Sequence, residues 1–417
     1  MASNDLMTGP ARWRFTRRGL VRIVGAGGVA AALGGAVAAC SGDEGGTGGA
    51  GGTGSGGGGA NGGGAEPVAI VTNLPDGDDP VAVDTQVQVE AQNGTLTTVS
   101  LVTADGAEVA GDLREGGVSW AAGSLLDPGA TYTLTVQATG DGGDTSAEMT
   151  FATVDLGLDE LTYPSIAPLA DEEVGVGMPV VVRFDVAVTD HATYEQHMRV
   201  TSEPAQEGSW HWFDDHEVRW RPREYWQPGT SVTVDVDVKS LPAGGGIYGQ
   251  ESRRVAFTVG RSVIHRVDAT THTMTSEIDG ATARTMPISA GKPGFETRSG
   301  IKVIMEKFRE KTMDAATTGI EPGDPDYYNI ADVQYALRVT TSGEFLHAAP
   351  WSSGSQGVAN VSHGCVGMAT DDARWVFENS RRGDVVEVTG TDRQMTLENG
   401  WGDWNATPEA YAEGSAL

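Results

Sequence analysis

Short runs of alternating apolar and polar residues dominate the chain from Pro67 to about Leu156. Examples are residues 85–89 and 132–136, and clusters of Asp, Gly, Pro and Asn separate such runs. Alternation with a period of two places every second side chain on one face of an extended strand, and the separating residues are those that form turns. The pattern predicts antiparallel β-sheets that pack face to face as a sandwich.

The same pattern occurs a second time further along the chain. Trp120 recurs as Trp220, and the Pro-Gly turn at 128–129 recurs at 228–229, an offset of about 100 residues. This offset matches the length of an immunoglobulin-like domain. We therefore predict two duplicated immunoglobulin-like β-sandwiches, each with a tryptophan in its core.

The second copy also contains aromatic and titratable residues that allow two interpretations. Trp210, Trp212 and Trp226 are interpreted first as core residues, with sugar binding as the alternative, because exposed rings can stack on carbohydrate. His211 and His216 are five residues apart, so on a strand they point to opposite faces, and the acidic pair between them favours a hairpin turn. We predict no metal site there.

The N-terminus has the anatomy of a signal peptide. Five arginines lie between residues 12 and 22, and an uncharged Gly/Ala/Val stretch then leads to Cys40. Arg17-Arg18 resembles a twin-arginine export signal, and residues 37–40 resemble a bacterial lipobox, in which the thiol of Cys40 is acylated by lipid. A generic basic segment and a coincidental cysteine are the alternatives, and with either of them the protein is still exported.

Composition limits the partners and the location. The chain has 59 glycines, many of them in residues 41–65, which we interpret as a flexible linker. The net charge of −29 excludes nucleic acid as a partner, because the phosphate backbone repels such a surface. We expect an exported monomer that a lipid anchors to the outer face of the cell membrane, in the cell wall or periplasmic space.

Beyond Gly260 the sequence carries the residues of a cysteine nucleophile. Cys365 is the only cysteine besides Cys40, so we expect reactivity from it and no structural disulfide. It follows Ser362-His363-Gly364, and His347 lies at the end of a strand-like run. A thiol nucleophile needs an imidazole to take its proton and backbone N–H groups for the oxyanion. A buried free cysteine beside a core histidine is the alternative.

A short helix is expected after the cysteine. Thr370 or Asp371 is a candidate N-cap, acidic residues occupy the first turn, and Ala373 and Val376 lie on one face. A strand from Asp384 to Thr389 follows. The complete prediction is therefore a mostly β chain of two immunoglobulin-like sandwiches and a β-rich third domain with this helix.

Residues 343–351 (Gly-Glu-Phe-Leu-His-Ala-Ala-Pro-Trp) and 362–365 (Ser-His-Gly-Cys) closely resemble the L,D-transpeptidase catalytic domain, also called the YkuD domain. The resemblance extends along the chain to the mycobacterial-type enzymes, which have a lipoprotein signal, two immunoglobulin-like domains, a catalytic domain and a Trp-rich tail. Further matching segments are residues 217–229, 286–294, 313–314 and 400–405.

This resemblance implies roles for the motif residues. Cys365 would be the nucleophile, and His347 the general base that later returns a proton. The backbone carbonyl of Ala348, where the family often has serine, would orient the imidazole. His363 and Gly364 would form the oxyanion loop, with the N–H groups of Gly364 and Cys365 as donors.

The resemblance also implies a substrate pocket beneath a lid. Trp351, Met313, Tyr328 and Ser362 would bind substrate, although the first three can also be interpreted as core residues. The lid would run from Lys307 to Ile330, where glycines and prolines predict a long loop.

The implied reaction is the formation of 3→3 cross-links between peptidoglycan stem peptides. Cys365 would attack a tetrapeptide donor, expel D-Ala and pass the acyl group to the diamino-acid side chain of a neighbouring stem. Neither metal nor organic cofactor is required, and carbapenems acylate the thiol in this family. The family often has asparagine or arginine at the position of Gly367, which leaves the positioning of the substrate open.

Two other functions remain open at this stage. One is the same chemistry with another acceptor, either water, which gives a carboxypeptidase, or the amine of a wall protein. The other is a non-catalytic wall-binding lipoprotein with a vestigial cysteine. The sequence-based domain assignment is a signal peptide at 1–40, a linker at 41–65, sandwiches at 66–156 and 157–260, a catalytic domain at 261–390 and a tail at 391–417.

Overall fold

The computed structural model describes residues 21–23, 66–75, 77–114 and 116–417. Apart from residues 21–23, the predicted signal peptide with its twin-arginine-like motif and Cys40 lies outside these residues, as does the linker 41–65. Within the described part of the chain, no helix has the length and apolar character to cross a membrane. The chain divides into two compact units, Met1–Leu156 and Gly157–Leu417.

The first unit is a β-sandwich. One sheet has the strand order β1-β2-β3-β6-β5 and the other β4-β7-β8, and Trp120 is buried in the core that these strands form. The strands are β1 (Val21–Ile23), β2 (Ala69–Thr72), β3 (Gln88–Gln92), β4 (Thr95–Thr103), β5 (Gly111–Leu113), β6 (Ser119–Ala122), β7 (Thr131–Thr139) and β8 (Thr145–Ala152).

The second unit begins with another sandwich. Its two main sheets have the orders β10-β12-β15-β14 and β11-β19-β16-β13, and a small sheet has the order β17-β18-β9. A 3₁₀ helix at Leu158–Glu160 precedes it. Its elements are β9 (Leu161–Thr162), β10 (Pro164–Ala167), β11 (Glu173–Val174), β12 (Val180–Phe184), α1 (His191–Gln196), β13 (Met198–Glu203), β14 (Gly208–Trp212), β15 (Glu217–Pro222), β16 (Ser231–Val236), β17 (Pro242–Gly244), β18 (Ile247–Gly249) and β19 (Arg253–Val259).

The internal repeat of the sequence corresponds to equivalent elements. Trp120 lies on β6 and Trp220 on β15, and both are buried. Gly129 and Gly229 both have positive φ, and each lies two residues before the strand that follows its turn. The structure therefore confirms the two-sandwich prediction.

The other aromatic residues of the second sandwich are core residues too. Trp210, Trp212 and Trp226 are all buried, which favours the packing interpretation over sugar binding. The predicted hairpin lies between β14 and β15, where Asp214 Oδ1 accepts hydrogen bonds from the N–H of His216 at 2.7 Å and of Glu217 at 2.8 Å.

The rest of the second unit is built on one large sheet of order β23-β28-β20-β21-β22-β27-β26-β25-β24. Its elements are β20 (Val263–Asp268), β21 (Thr273–Ile278), β22 (Ala281–Ser289), β23 (Gly300–Val303), β24 (Glu306–Asp314), β25 (Asn329–Arg338), β26 (Phe345–Ala348), β27 (Val366–Met368), α2 (Thr370–Asn379) and β28 (Val385–Thr389), with 3₁₀ helices at Ala315–Thr318 and Pro350–Ser352.

Helix α2 follows the cysteine, as predicted, and packs against this sheet. Ala373 and Val376 are fully buried in one core with residues of β25, β26 and β27. The N-cap is Ala369, which makes no side-chain cap, so the predicted N-cap at Thr370 or Asp371 was wrong by one or two residues. The acidic first turn supplies charge that favours the N-terminus in place of a cap.

The predicted lid is mostly a hairpin rather than a long loop. Strands β24 and β25 pair over most of their length, and only residues 319–328 connect them beyond the 3₁₀ helix. The glycines and prolines that suggested a loop occur only at this tip. The strand signal before them was overlooked because few residues of β24 are buried, so its apolar alternation is weak.

The C-terminal residues fasten the second sandwich to the rest of their unit. A 3₁₀ helix at Asp403–Asn405 and α3 (Pro408–Ala412) form this tail. Arg219 of β15 donates to Gly400 O at 2.8 Å and pairs with the buried Asp403 at 3.1 Å, while His211 donates to Tyr411 O at 2.8 Å. The C-terminal tail therefore binds β14 and β15 of the second sandwich.

Trp404 allows a test of this tail. Its ring is 8% exposed, and Nε1 donates to Gly177 O at 2.8 Å. We expect Trp404→Ala to lower the free energy of unfolding of the 157–417 unit by about 3–5 kcal/mol, through the cavity and the lost hydrogen bond. Denaturant unfolding measures this change. The control is Trp351→Ala, at a ring that is 54% exposed, for which we expect a loss below about 1 kcal/mol. Equal losses would contradict a structural role for the tail.

Candidate active site

The predicted nucleophile lies directly before β27, on a tightly turned loop. Gly364 has φ +119°, a conformation that side-chain-bearing residues rarely adopt, so a glycine is needed before Cys365. The thiol is 7% exposed and donates a weak hydrogen bond to Gly343 O at 3.6 Å. Burial raises its pKa to about 12, so the resting thiol is protonated at neutral pH.

His347 lies on β26, next to the strand that follows the nucleophile. Strands β26 and β27 are parallel, and His347 is in register with Gly367. Its Nδ1 donates to the carbonyl of Ala348 at 2.8 Å, as the family resemblance implies. Burial lowers the pKa of His347, and the neutral imidazole with a proton on Nδ1 leaves Nε2 with a free lone pair. The pair is therefore neutral and suited to proton transfer.

The thiol and the imidazole line the same cavity. Among the described residues, no hydrogen bond joins Cys365 Sγ to His347, because the thiol is directed at Gly343 O. Catalytic hydrogen bonds of this kind are often long without substrate and shorten when it binds. A rotation of the thiol away from Gly343 is the movement that this arrangement requires.

The loop before Cys365 is braced by its own serine. Ser362 Oγ accepts from the N–H of Gly364 at 3.1 Å and donates to Cys365 O at 2.6 Å. The N–H of Gly364, expected from the sequence to be an oxyanion donor, is thus engaged inside the loop. Sequence reasoning missed this because it depends on the turn that brings Ser362 back onto the two following peptides.

His363 faces the tip of the lid hairpin. Its Nε2 lies 3.2 Å from Asp326 Oδ1, and its ring contacts those of Phe295 and Tyr328. The same carboxylate also binds Lys292 Nζ. The hydrogen bond from Lys292, followed by that from His363, lowers the pKa of Asp326. Asp326 therefore connects the lid tip to His363, which lines the cavity, and to Lys292.

Met313, Tyr328, Trp351 and Ser362, predicted to bind substrate, all line the cavity together with Cys365 and His347. The stacked rings of Trp351 and His347 have centroids 5.8 Å apart. Apart from Gly367, whose effect on substrate positioning the sequence left open, the other lining residues were missed. For Ser289, Ile330 and Val333 the strand alternation of β22 and β25 was the available signal. Ala349, Ser352 and Val361 lie on the connection between β26 and β27, where no such signal exists.

A buried ion network lies close to Cys365 and was also missed by sequence reasoning. Glu344 accepts a hydrogen bond from Arg298 Nη1 at 2.8 Å and pairs with Lys302 Nζ. Lys302 is only 1% exposed. Glu344 immediately follows Gly343, whose carbonyl accepts the thiol hydrogen bond. The network therefore fixes the backbone on which the resting thiol is held. Its only sequence signal was a lysine within the apolar run of β23.

The pH dependence of Cys365 alkylation tests the neutral pair. Because the thiol pKa is raised to about 12, the thiolate fraction should increase about tenfold per pH unit below that value. We expect the rate of reaction with iodoacetamide, followed by intact mass, to rise without a plateau from pH 7 to pH 10. A plateau below pH 7 would contradict the account, because it would indicate a resting thiolate–imidazolium pair.

Comparisons with known proteins identify both kinds of domain in the chain. Residues 78–242 match the bacterial Ig domain family, and residues 262–388 match the L,D-transpeptidase catalytic domain family. The chain is 36% identical to L,D-transpeptidase 2 of Mycobacterium tuberculosis over 83% of this chain and 85% of that protein. It is 32% identical to L,D-transpeptidase 5 of the same organism, over 79% of this chain and 73% of that protein.

A solved structure, LD transpeptidase LdtMt1 in complex with imipenem, is 39% identical and covers 54% of this chain and 97% of that chain, with a TM-score of 0.49. Identity to L,D-transpeptidase 2 extends over most of both chains, and the catalytic-domain match includes Cys365 and His347. This protein belongs to the L,D-transpeptidase family and is an acyltransferase.

Proposed function

We propose that the protein forms 3→3 cross-links in peptidoglycan through a thioester on Cys365. The observation that carries this proposal is the pairing of a buried thiol with a neutral imidazole in one cavity. The carbonyl of Ala348 holds the imidazole with Nε2 free to accept a proton. A tetrapeptide stem would be the acyl donor, and the diamino-acid side chain of a second stem the acceptor.

Acylation proceeds by proton transfer coupled to attack. His347 Nε2 takes the proton from Cys365 Sγ as the C–S bond forms on the carbonyl that precedes the terminal D-Ala. The C–N bond then breaks, and His347 returns the proton to the departing amine. The products are the thioester and free D-Ala.

Cross-linking is the reverse process with a new amine. The neutral side-chain amine of the acceptor attacks the thioester, loses a proton to His347 and releases the thiolate, which recovers that proton. Neutral partners suit this step, since a cationic imidazole could not accept the proton of the incoming amine. The low pKa that burial gives His347 keeps it available as a base.

The cavity supplies mainly apolar and aromatic contacts for a peptide, with serine hydroxyls beside them. Trp351 and Val361 are exposed on its rim, while Met313 and Tyr328 line it from the lid hairpin. Burial raises the pKa of Tyr328 to about 12, so its hydroxyl stays a neutral donor. We propose that the donor peptide lies between this rim and the lid hairpin, with the scissile carbonyl above Cys365.

The location is proposed from the same function. A cross-linking enzyme must act outside the cytoplasmic membrane, which agrees with the signal peptide and the lipobox at Cys40 that the sequence predicts. We propose that the lipid anchors the protein to the outer face of the cell membrane, in the cell wall or periplasmic space. We also propose that it acts as a monomer.

Intact mass and product analysis test the proposed reaction. With a tetrapeptide stem as the only substrate, the wild-type protein should release D-Ala from the stem and form cross-linked dimers. The Cys365→Ala variant should give neither product. His347→Ala should lower the rate by about 10²–10⁴-fold because the base is lost. Imipenem should add to the wild type and not to Cys365→Ala.

The product separates the proposed reaction from its alternatives. Tripeptide without dimer would make the protein a carboxypeptidase, with water as the acceptor. The absence of both product and adduct would overturn the enzymatic assignment and favour a wall-binding lipoprotein.

Substitution of Gly367 tests why this chain has glycine where the family often has asparagine or arginine. A Cβ at this position would lie 2.8 Å from Ala349 Cβ, so a side chain forces β27 away from its neighbour. We expect Gly367→Asn to lower cross-linking at least about tenfold, with recovery in the double variant Gly367→Asn/Ala349→Gly. The control is Gly354→Asn, where a Cβ meets nothing within 4 Å. Full activity of Gly367→Asn would contradict this account.

A further inference from the structure

The peptide bond between Gly364 and Cys365 is fixed by a buried hydroxyl from a distant part of the chain. Thr297 is 1% exposed, and its Oγ1 donates to Gly364 O at 2.8 Å. The same oxygen accepts from the N–H of Gly291 at 2.9 Å. Because the Gly291 N–H occupies its acceptor side, the one hydrogen of the hydroxyl is directed at Gly364.

The orientation of this carbonyl determines the orientation of the next N–H. In a planar trans peptide the C=O and N–H point in opposite directions, so fixing Gly364 O on Thr297 also fixes the N–H of Cys365 on the other side. The other candidate donor of the loop, the Gly364 N–H, is engaged with Ser362 Oγ. Of the two N–H groups, only that of Cys365 is therefore left to donate to an oxyanion.

We infer that Thr297 is a positioning residue of the oxyanion site, which aims the Cys365 N–H at the developing charge on the scissile carbonyl. The inference rests on the proposed acyl transfer at Cys365. Thr297 is not among the residues that line the cavity, and it acts through the peptide that it holds. Oxyanion donors need this fixed orientation, because a donor that must reorganise during the reaction stabilises the transition state less.

Two reactions of the same thiol distinguish a role in oxyanion stabilisation from a general disturbance of the site. Acylation by imipenem passes through a tetrahedral oxyanion, whereas alkylation by iodoacetamide is a direct displacement that forms none. We expect Thr297→Val to lower the maximal acylation rate by about 10²-fold, with little change in the imipenem concentration giving half that rate. Its alkylation rate should stay within about twofold of wild type, and Thr297→Ser should restore acylation.

Matched variants keep the test decisive. Thr391 donates to Thr297 O at 2.6 Å, so Thr391→Val removes a hydrogen bond to the same residue without touching the Gly364 carbonyl, and its acylation should equal that of the wild type. Thr297→Ala removes the donor without adding a methyl group and should show the same split, which covers the case in which the valine variant does not fold.

All variants are made in the full-length protein. Stopped-flow kinetics measures the acylation rate, and intact mass identifies the adduct. The inference would be overturned if Thr297→Val or Thr297→Ala were acylated at the wild-type rate. It would also be overturned if the acylation and alkylation rates fell equally. Failure of the wild type to be acylated at Cys365 would instead refute the proposed function. These outcomes are distinguishable because the wild-type reaction is measured first.

Discussion

The parallel pairing of β26 with β27 is the constraint on which the site depends. It brings His347 into register with Gly367, two residues after the nucleophile, although the two strands are separated by the loop that carries Trp351 and Ser362. Parallel neighbours need a long crossover connection, and here that connection forms part of the cavity wall. The buried core between these strands and α2 holds both in place.

Burial then sets the chemistry of the pair. Burial raises the pKa of the thiol and lowers that of the imidazole, so both groups are uncharged at neutral pH without substrate. In the proposed reaction, His347 acts as a base when a substrate carbonyl allows proton transfer and bond formation together. The resting thiol is held on Gly343 O, beside the buried Lys302–Glu344 pair, until then.

The sequence was sufficient for the elements whose signals are local. Alternation and the Pro-Gly turns predicted the sandwiches, and the family resemblance around Cys365 pointed to the thiol and imidazole that share one cavity and to the Ala348 carbonyl that holds the imidazole. It was insufficient where a role depends on contacts between distant segments. Thr297 meets Gly364 across 67 residues, and Lys302 meets Glu344 across 42. The lid hairpin was missed for a different reason, because a largely exposed strand shows little apolar alternation.

A crystal structure of the protein acylated by imipenem tests the central claim most directly. The account predicts a thioester on Cys365 Sγ, with its carbonyl oxygen about 3 Å from the Cys365 N–H and with Gly364 still bonded to Ser362. His347 should remain on the Ala348 carbonyl, with Nε2 facing the thioester. An adduct on another residue, or a thioester oxygen turned away from the Cys365 N–H, would contradict the account.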